Sequence, residues 1–437
     1  MNQLTQNSRQ SLSPLRWVPS LYFAMGLPFV VLNMVSAVLF KDLGISDAQI
    51  AFWTSLIMWP WTIKFLWSPF LEIFRTKKFF VVTTQLLSGI LFGLAALSLH
   101  LPSFFAVTIA VFAVVAFSGA THDIAADGVY MSELTTQDQA KYIGWQGAFY
   151  NLAKLVATGG LVWLAGWLYE GFSTSGTASF DAYVRSWTVV LLLLCVTLVA
   201  LGLYHLRALP SGGSASEGRS LRDGLSGLKE VVGAFFQKKH IWYYLGFIIL
   251  YRLGEGFVMK IVPLFLKADT ASGGLGLTNQ QIGLYYGTFG AGAFLLGSLL
   301  AGYYIAHRGL RRTLFILCCI FNIPFAVYAL LAWLQPQSMW IVGGGIVLEY
   351  FGYGFGFVGL TLFMMQQVAP GRHQMAHYAF ASGIMNLSVM LTGAVSGYLS
   401  DALGYGMFFL AVMLATVPAF LVTWFVPFTY DDKPNDK

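Results

Sequence analysis

Three features of the sequence predict an all-α membrane protein of twelve transmembrane helices in two six-helix halves. They are an apolar composition, the regular recurrence of apolar stretches, and a repeat relating one half of the chain to the other. Of 437 residues, 57% are hydrophobic and 10% charged, against about 25% charged in an ordinary soluble domain. The apolar stretches are about 20 residues long, the length that crosses a ~30 Å hydrocarbon layer.

The twelve expected spans, α1 to α12, lie near 15–40, 48–72, 78–99, 103–131, 141–169, 186–206, 240–267, 280–306, 312–334, 338–367, 375–400 and 405–428. Each is expected to be helical, because lipid offers the backbone no hydrogen-bond partner and the two-residue alternation of a barrel strand is missing. The apolar run of α1 is too long for a secretory signal and no small-residue cleavage site follows it, so it reads as a retained helix. Cys195, Cys318 and Cys319 all fall inside spans, and neither a disulfide framework nor a metal site is expected from them.

Charge placement supplies an orientation. Of the 25 Lys and Arg, eighteen fall in segments that are cytoplasmic if the amino terminus is cytoplasmic, and Lys41, Arg185 and Lys267 fall on the other side, which leaves four inside spans. By the positive-inside rule both termini and the segment between α6 and α7 are expected to be cytoplasmic. The net charge of +6 follows from this bias and does not call for nucleic acid.

The repeat is read in Leu43-Gly44-Ile45-Ser46-Asp47-Ala48-Gln49-Ile50, which returns as Leu275-Gly276-Leu277-Thr278-Asn279-Gln280-Gln281-Ile282. Leu39-Phe40-Lys41 matches Phe265-Leu266-Lys267, and Asn151-Leu152 matches Asn386-Leu387. Two halves in the same orientation give three expected units: a six-helix bundle over 1–206, a linker over 207–239 and a second bundle over 240–437. The linker opens on Ser211-Gly212-Gly213-Ser214 and continues with Leu221, Leu225, Leu228, Val232 and Phe235 at helical spacing among basic residues. An amphipathic helix on the cytoplasmic surface is expected there.

Several blocks resemble the muropeptide permease (AmpG) and acetyl-CoA transporter group of the major facilitator superfamily, over essentially the whole chain. They are Gly26-Leu27-Pro28, Lys64-Phe65-Leu66-Trp67-Ser68-Pro69, Asp123-Ile124-Ala125-Ala126-Asp127-Gly128 and Tyr251-Arg252-Leu253-Gly254-Glu255. Met365-Gln366, Tyr378-Ala379 and Gly397-Tyr398-Leu399-Ser400-Asp401 continue the series. The resemblance implies the major facilitator fold, with α1, α4, α7 and α10 walling a central cavity. It also implies gating at the cytoplasmic ends of α2 and α8, here by Glu72, Lys77, Lys78, Arg308 and Arg311. The sequence departs from the pattern at Ile73, where a base is common, and at His122, where the group carries glutamine.

Ionisable side chains at membrane depth cost several kcal/mol and therefore pair, or line a water-filled path. Eight are expected: Lys64, Asp123, Asp127, Lys154, Arg252, Glu255, Lys260 and Glu349. Asp123 and Asp127, four apart, share a face of α4, and their mutual repulsion suits proton binding. Asp123 is the first choice for the coupled proton, with Lys154 or Lys64 as partner; Asp127 can instead pair with Lys77 or Lys78. Arg252 and Glu255, three apart, can form a pair that is either structural or opened by a proton or an anionic cargo. Lys260 reads as a cation near the external end, which either attracts an anion at the mouth or snorkels to the surface.

The candidate proton-coupling residues are thus Asp123, Asp127, Glu255 and Glu349. The candidate cargo-binding residues are Lys64, Lys154, Arg252, Asn33, Gln146, Asn151 and Asn386. Trp17, Trp187, Trp340 and Trp424 are expected to anchor at the interfaces. His373 and His377 lack a third ligand, and no metal or other cofactor is expected.

These readings converge on a secondary symporter of the bacterial inner membrane, working as a monomer and driven by protons. The expected cargo is an amino-sugar disaccharide, a muropeptide or another oligosaccharide, and a siderophore or acyl-CoA is the alternative within transport. A transporter-like sensor or a membrane acyltransferase is the alternative outside it. The repeat and the scattered charges speak against the enzyme.

Overall fold

The computed structural model describes residues 13–67, 71, 75–134, 136–174, 179–212, 221–371 and 374–430. Among these, nine helical stretches are long and apolar enough to cross a membrane. Seven are spans of their own with modest changes at the ends: α1 (Pro14–Asp42), α3 (Lys77–Ser98), α4 (Phe104–Glu133), α6 (Ser179–Ala208), α8 (Asn279–Ile305), α9 (Leu310–Leu334) and α10 (Met339–Val368). An eighth is α5, which runs helically from Thr136 to Thr174. The ninth, His377–Trp424, holds both α11 and α12, because the chain turns at Gly404 (φ 71°) while helical hydrogen bonding continues on either side.

The two other expected spans are present as broken helices. α2 runs Asp47–Leu56 and resumes as Trp59–Ile63, interrupted just ahead of Pro60, which has no N–H to bond the Leu56 carbonyl four residues back and whose ring crowds it. α7 runs Ile241–Tyr251 and Leu253–Lys267, broken at Arg252. α6 begins several residues before its expected start, since hydropathy marks only the lipid-embedded part of a helix that continues through Asp181 and Arg185.

Helical hydrogen bonding also loosens inside spans. π-Helical turns occur at Val31–Val35 in α1, just after Pro28, at Val156–Leu161 in α5 and at Ile282–Phe289 in α8. Such bulges concentrate where a helix must re-aim its side chains. The bulges of α5 and α8 pack on one another. A β-carbon on Gly283 would stand 2.7 Å from the Gly159 carbonyl oxygen, so only glycine permits this approach. α2 packs along α11 in the same way. The apolar side chains left exposed, among them Val196, Leu299 and Leu414, are those a lipid-facing surface requires.

The linker helix is Leu221–Phe236. Its Phe235 is fully buried and stacks on Phe380 of α11 with ring centroids 5.4 Å apart, so the carboxyl-terminal end of this helix lies on protein. The expected tryptophan anchors divide. Trp340 and Trp424 are exposed, whereas Trp17 and Trp187 are buried, and Trp187 Nε1 donates to Asp42 at 2.9 Å. Their position at span ends suggested an interface, but each is covered by neighbouring helices.

Candidate transport site

Two clusters of charge lie inside the bundle. In the first half, Asp123 on α4 accepts a hydrogen bond from Trp61 Nε1 at 2.9 Å and pairs with Lys64 at 3.3 Å. The break in α2 ahead of Pro60 sets the short segment that carries Trp61, and a 3₁₀ turn carries Lys64. One turn along α4, Asp127 accepts from the Tyr22 hydroxyl at 3.0 Å. Asp127 was expected to meet Lys77, but Lys77 donates instead to the Gly212 carbonyl at 3.0 Å, because Tyr22 of α1 fills the space beside Asp127.

In the second half, Arg252 and Glu255 form a two-pronged ion pair along one face of α7, both buried. At the break Arg252 leaves helical geometry (φ −100°, ψ 6°) with its N–H bonded to the Leu250 carbonyl, and its guanidinium lies 5.3 Å over the Phe357 ring of α10. The glycines beside Glu255 serve helix packing: a β-carbon on Gly256 would lie 3.0 Å from the Val389 backbone of α11. Glu349 on α10 is buried and accepts from the Tyr328 hydroxyl of α9 at 2.8 Å.

Lys154 does not reach Asp123. Although α4 and α5 neighbour one another in the expected order, Lys154 faces the other half, where its ammonium lies 4.8 Å from the Phe294 ring centroid, 5.6 Å from that of Tyr353 and 5.7 Å from that of Tyr350. Cation–π contacts of a desolvated ammonium are worth about 2 kcal/mol. A charge at membrane depth costs about as much or more. Among the described residues no carboxylate lies within ion-pair distance of it.

Other expected site residues have structural partners. Lys260 is buried and not at the mouth; it donates to the Asn33 side chain at 2.8 Å and the Asn33 carbonyl at 3.0 Å. Asn33 sits in the π turn of α1, and this clasp joins the two halves. Asn151 donates back to Gly147 within α5 at 2.9 Å, which engages its amide locally. Gln146 leaves its carbonyl oxygen buried and unpartnered among the described residues, and Asn386 is half-buried on α11.

At the ends of the bundle, Arg308 lies 6.0 Å from the Tyr304 ring and Arg311 5.8 Å from the Phe428 ring. The Lys78 backbone N–H donates to Ser211. Glu72 and His373 lie outside the described residues. His377 is buried against the Val231 carbonyl of the linker helix, and among the described residues no group of three metal-ligating side chains assembles. Lys238 donates to the carbonyls of Val368, Ala369 and Pro370, closing the end of α10, and burial lowers its pKa from the ordinary lysine value.

A third cluster joins the halves at the end of the bundle where α1 meets α2. Asp42, its side chain fully buried, pairs with Lys267 at 2.7 Å and accepts from Asn279 at 2.5 Å and from Trp187. Asp47 pairs with Lys41 at 2.5 Å and accepts from the Tyr405 hydroxyl of α12. A cavity of about 240 Å³ lined by Lys41, Asp42, Tyr183 and Lys267 lies against it. Sequence reasoning passed over this cluster. The signal was there in the repeat, where Asp47 corresponds to Asn279 and Lys41 to Lys267, at the ends of spans where charge reads as ordinary solvation.

The model of the Major Facilitator Superfamily matches residues 20–368 and 248–437. The chain is similar to the anhydromuropeptide permease of Escherichia coli (strain K12), 25% identical over 411 residues, covering 92% of this chain and 77% of that protein. In structure it is similar to a bacterial homolog of the human lysosomal transporter Spinster in an inward-facing, unoccupied conformation, with TM-score 0.69, 15% identity and coverage of 95% and 94% of the two chains. It is also similar to a D-xylose-proton symporter, with TM-score 0.71, 11% identity and coverage of 95% and 98%.

Proposed function

From the premise that the chain belongs to the major facilitator superfamily, we propose that this multi-pass membrane transporter, which is not an enzyme, imports a glycan fragment of the cell-wall type together with protons. The cargo class is an amino-sugar disaccharide or muropeptide, and the halves 1–206 and 240–437 rock about the interior charges, tethered by the 207–239 linker. The termini and linker face the cytoplasm of a bacterium, and the protein works as a monomer in the inner membrane. The observation that carries the coupling is the presence of buried acids on α4, α7 and α10, each held by a partner from which it can separate. The named relative supports the cargo class. The contacts made across the halves at the Asp42 end support a conformation that is closed at that end.

The test is uptake into proteoliposomes of a radiolabelled disaccharide of N-acetylglucosamine and 1,6-anhydro-N-acetylmuramic acid. Accumulation that follows an imposed inward pH gradient and collapses with a protonophore is expected. Equal uptake with and without the gradient would overturn proton coupling, and no uptake beside active transport of a siderophore or acyl-CoA would overturn the cargo.

A further inference from the structure

Lys154 brings its charge from one half of the molecule into a cage of three aromatic rings on the other half. The cage continues into buried groups of the second half: Tyr350 meets Tyr286 of α8 edge to face, with ring centroids 5.0 Å apart, and beside Tyr350 in sequence Glu349 of α10 accepts from Tyr328 of α9, while Arg252 and Glu255 pair on α7. Arg252 and Glu255 cancel one another within their own pair. That leaves one cation and one anion, Lys154 and Glu349, on either side of Tyr350: the ammonium lies 5.7 Å from its ring and the buried Glu349 precedes it on α10, with no ion pair between the two among the described residues. Among the described residues Glu349 is held only by the neutral Tyr328 hydroxyl, so it can gain or lose a proton without breaking an ion pair. Asp123, by contrast, is engaged by Lys64 and Trp61.

We infer that Lys154 and Glu349 are a coupling pair across the halves, in which protonation of Glu349 leaves Lys154 as the uncompensated cation that takes a carboxylate of the cargo. With Glu349 ionised the cluster is neutral and an incoming carboxylate would add a second unmatched anion. Once a proton joins the Glu349 carboxylate, the cluster carries one net positive charge in a low-dielectric setting, and an anionic cargo restores neutrality. Proton and cargo therefore favour each other's binding, which is the reciprocity a symporter requires. The rings of Phe294, Tyr350 and Tyr353 then offer faces for the sugar attached to that carboxylate. This inference rests on the proposed proton-coupled uptake and adds that the cargo is recognised through an acid group.

Two measurements test it on the purified full-length protein. The first needs no cargo: thermal unfolding of Lys154→Gln, Glu349→Gln and the double variant. Coupling is expected, the double variant melting above the Glu349→Gln single because the stranded cation is gone; strictly additive effects would overturn the pair. The second is binding, by tryptophan fluorescence, of a muramyl disaccharide with its free lactyl carboxylate and of the matching carboxamide. At about pH 5.5 the native protein is expected to prefer the acid by about 10-fold, a preference lost in Lys154→Gln and kept in Lys154→Arg. In Glu349→Gln it is expected to persist to about pH 8. Retention of the preference in Lys154→Gln would overturn the role of Lys154. If neither disaccharide binds while the thermal cycle shows coupling, the charge pair stands and the glycan reading falls.

Discussion

Arg252 and Glu255 were legible as a pair from their spacing, and they pair. What spacing does not carry is the direction in which a helix presents a side chain. Lys154 was expected to meet Asp123 because α4 and α5 are neighbours, yet it meets rings of the other half, and Lys260 was expected at the mouth yet is clasped by Asn33. Lys, Asp and Glu announce themselves inside apolar spans, whereas Tyr22, Tyr328 and Trp61, which hold them, look like any lipid-embedded aromatic until the helices are rotated into place. The pair itself makes a prediction. Arg252→Ala leaves a buried carboxylate without its cation and is expected to cost about 3–5 kcal/mol, whereas Arg252→Glu combined with Glu255→Arg restores opposite charge and recovers much of that loss. Unfolding in detergent measures both. An Arg252→Ala protein as stable as the native one would show that the ion pair contributes nothing to the fold.

At the scale of elements, hydropathy located the spans well but smoothed over their interruptions. α2 and α7 are broken where the Asp123 partners and Arg252 are presented, and no apolar window registers a break of one or two residues. Pro60 could have signalled the first of these; nothing in Tyr251-Arg252-Leu253 signals the second. The π turns of α5 and α8 were equally silent, although Gly159, Gly283 and Gly287 sit where the two helices touch. Because a β-carbon on Gly283 would collide with the Gly159 carbonyl, Gly283→Leu is expected to hold α5 and α8 apart while each bundle folds. A cysteine replacing Thr158, buried at this contact, should then react with a water-soluble thiol reagent about 10-fold faster than in the Gly283 background, as its protected population falls. Unchanged reactivity would mean that the approach of α5 to α8 does not depend on glycine.

On the scale of the molecule, the repeat predicted two related halves, and it also explains how they meet where α1 joins α2. Lys41 pairs with Asp47 in the first half as Lys267 contacts Asn279 in the second, at corresponding positions of the repeat. Each arrangement is touched by a tyrosine from the other half, Tyr405 on Asp47 and Tyr183 on Lys267. The symmetry fails at one residue: Asp42 of the first half corresponds to Ala268 of the second. Asp42 therefore supplies a carboxylate that Lys267 has no equivalent for within its own half, and the ion pair at 2.7 Å crosses between halves. Rocking must break this contact, and removing its charge should shift the balance of conformations toward the one in which this end is open. Asp42→Asn leaves Lys267 without its anion in a buried setting, so a shift of about 1–3 kcal/mol in that balance is expected. Spin labels on cysteines replacing Phe180 and Ser272, exposed positions on opposite halves near the contact, would report it after Cys195, Cys318 and Cys319 are replaced. The longer of two distance populations should grow in Asp42→Asn and shrink again when Lys267→Met removes the stranded cation. An identical distance distribution in the native and Asp42→Asn proteins would show that the closed end is held by apolar packing of α2 on α11 and α5 on α8, with the buried ion pair a passenger.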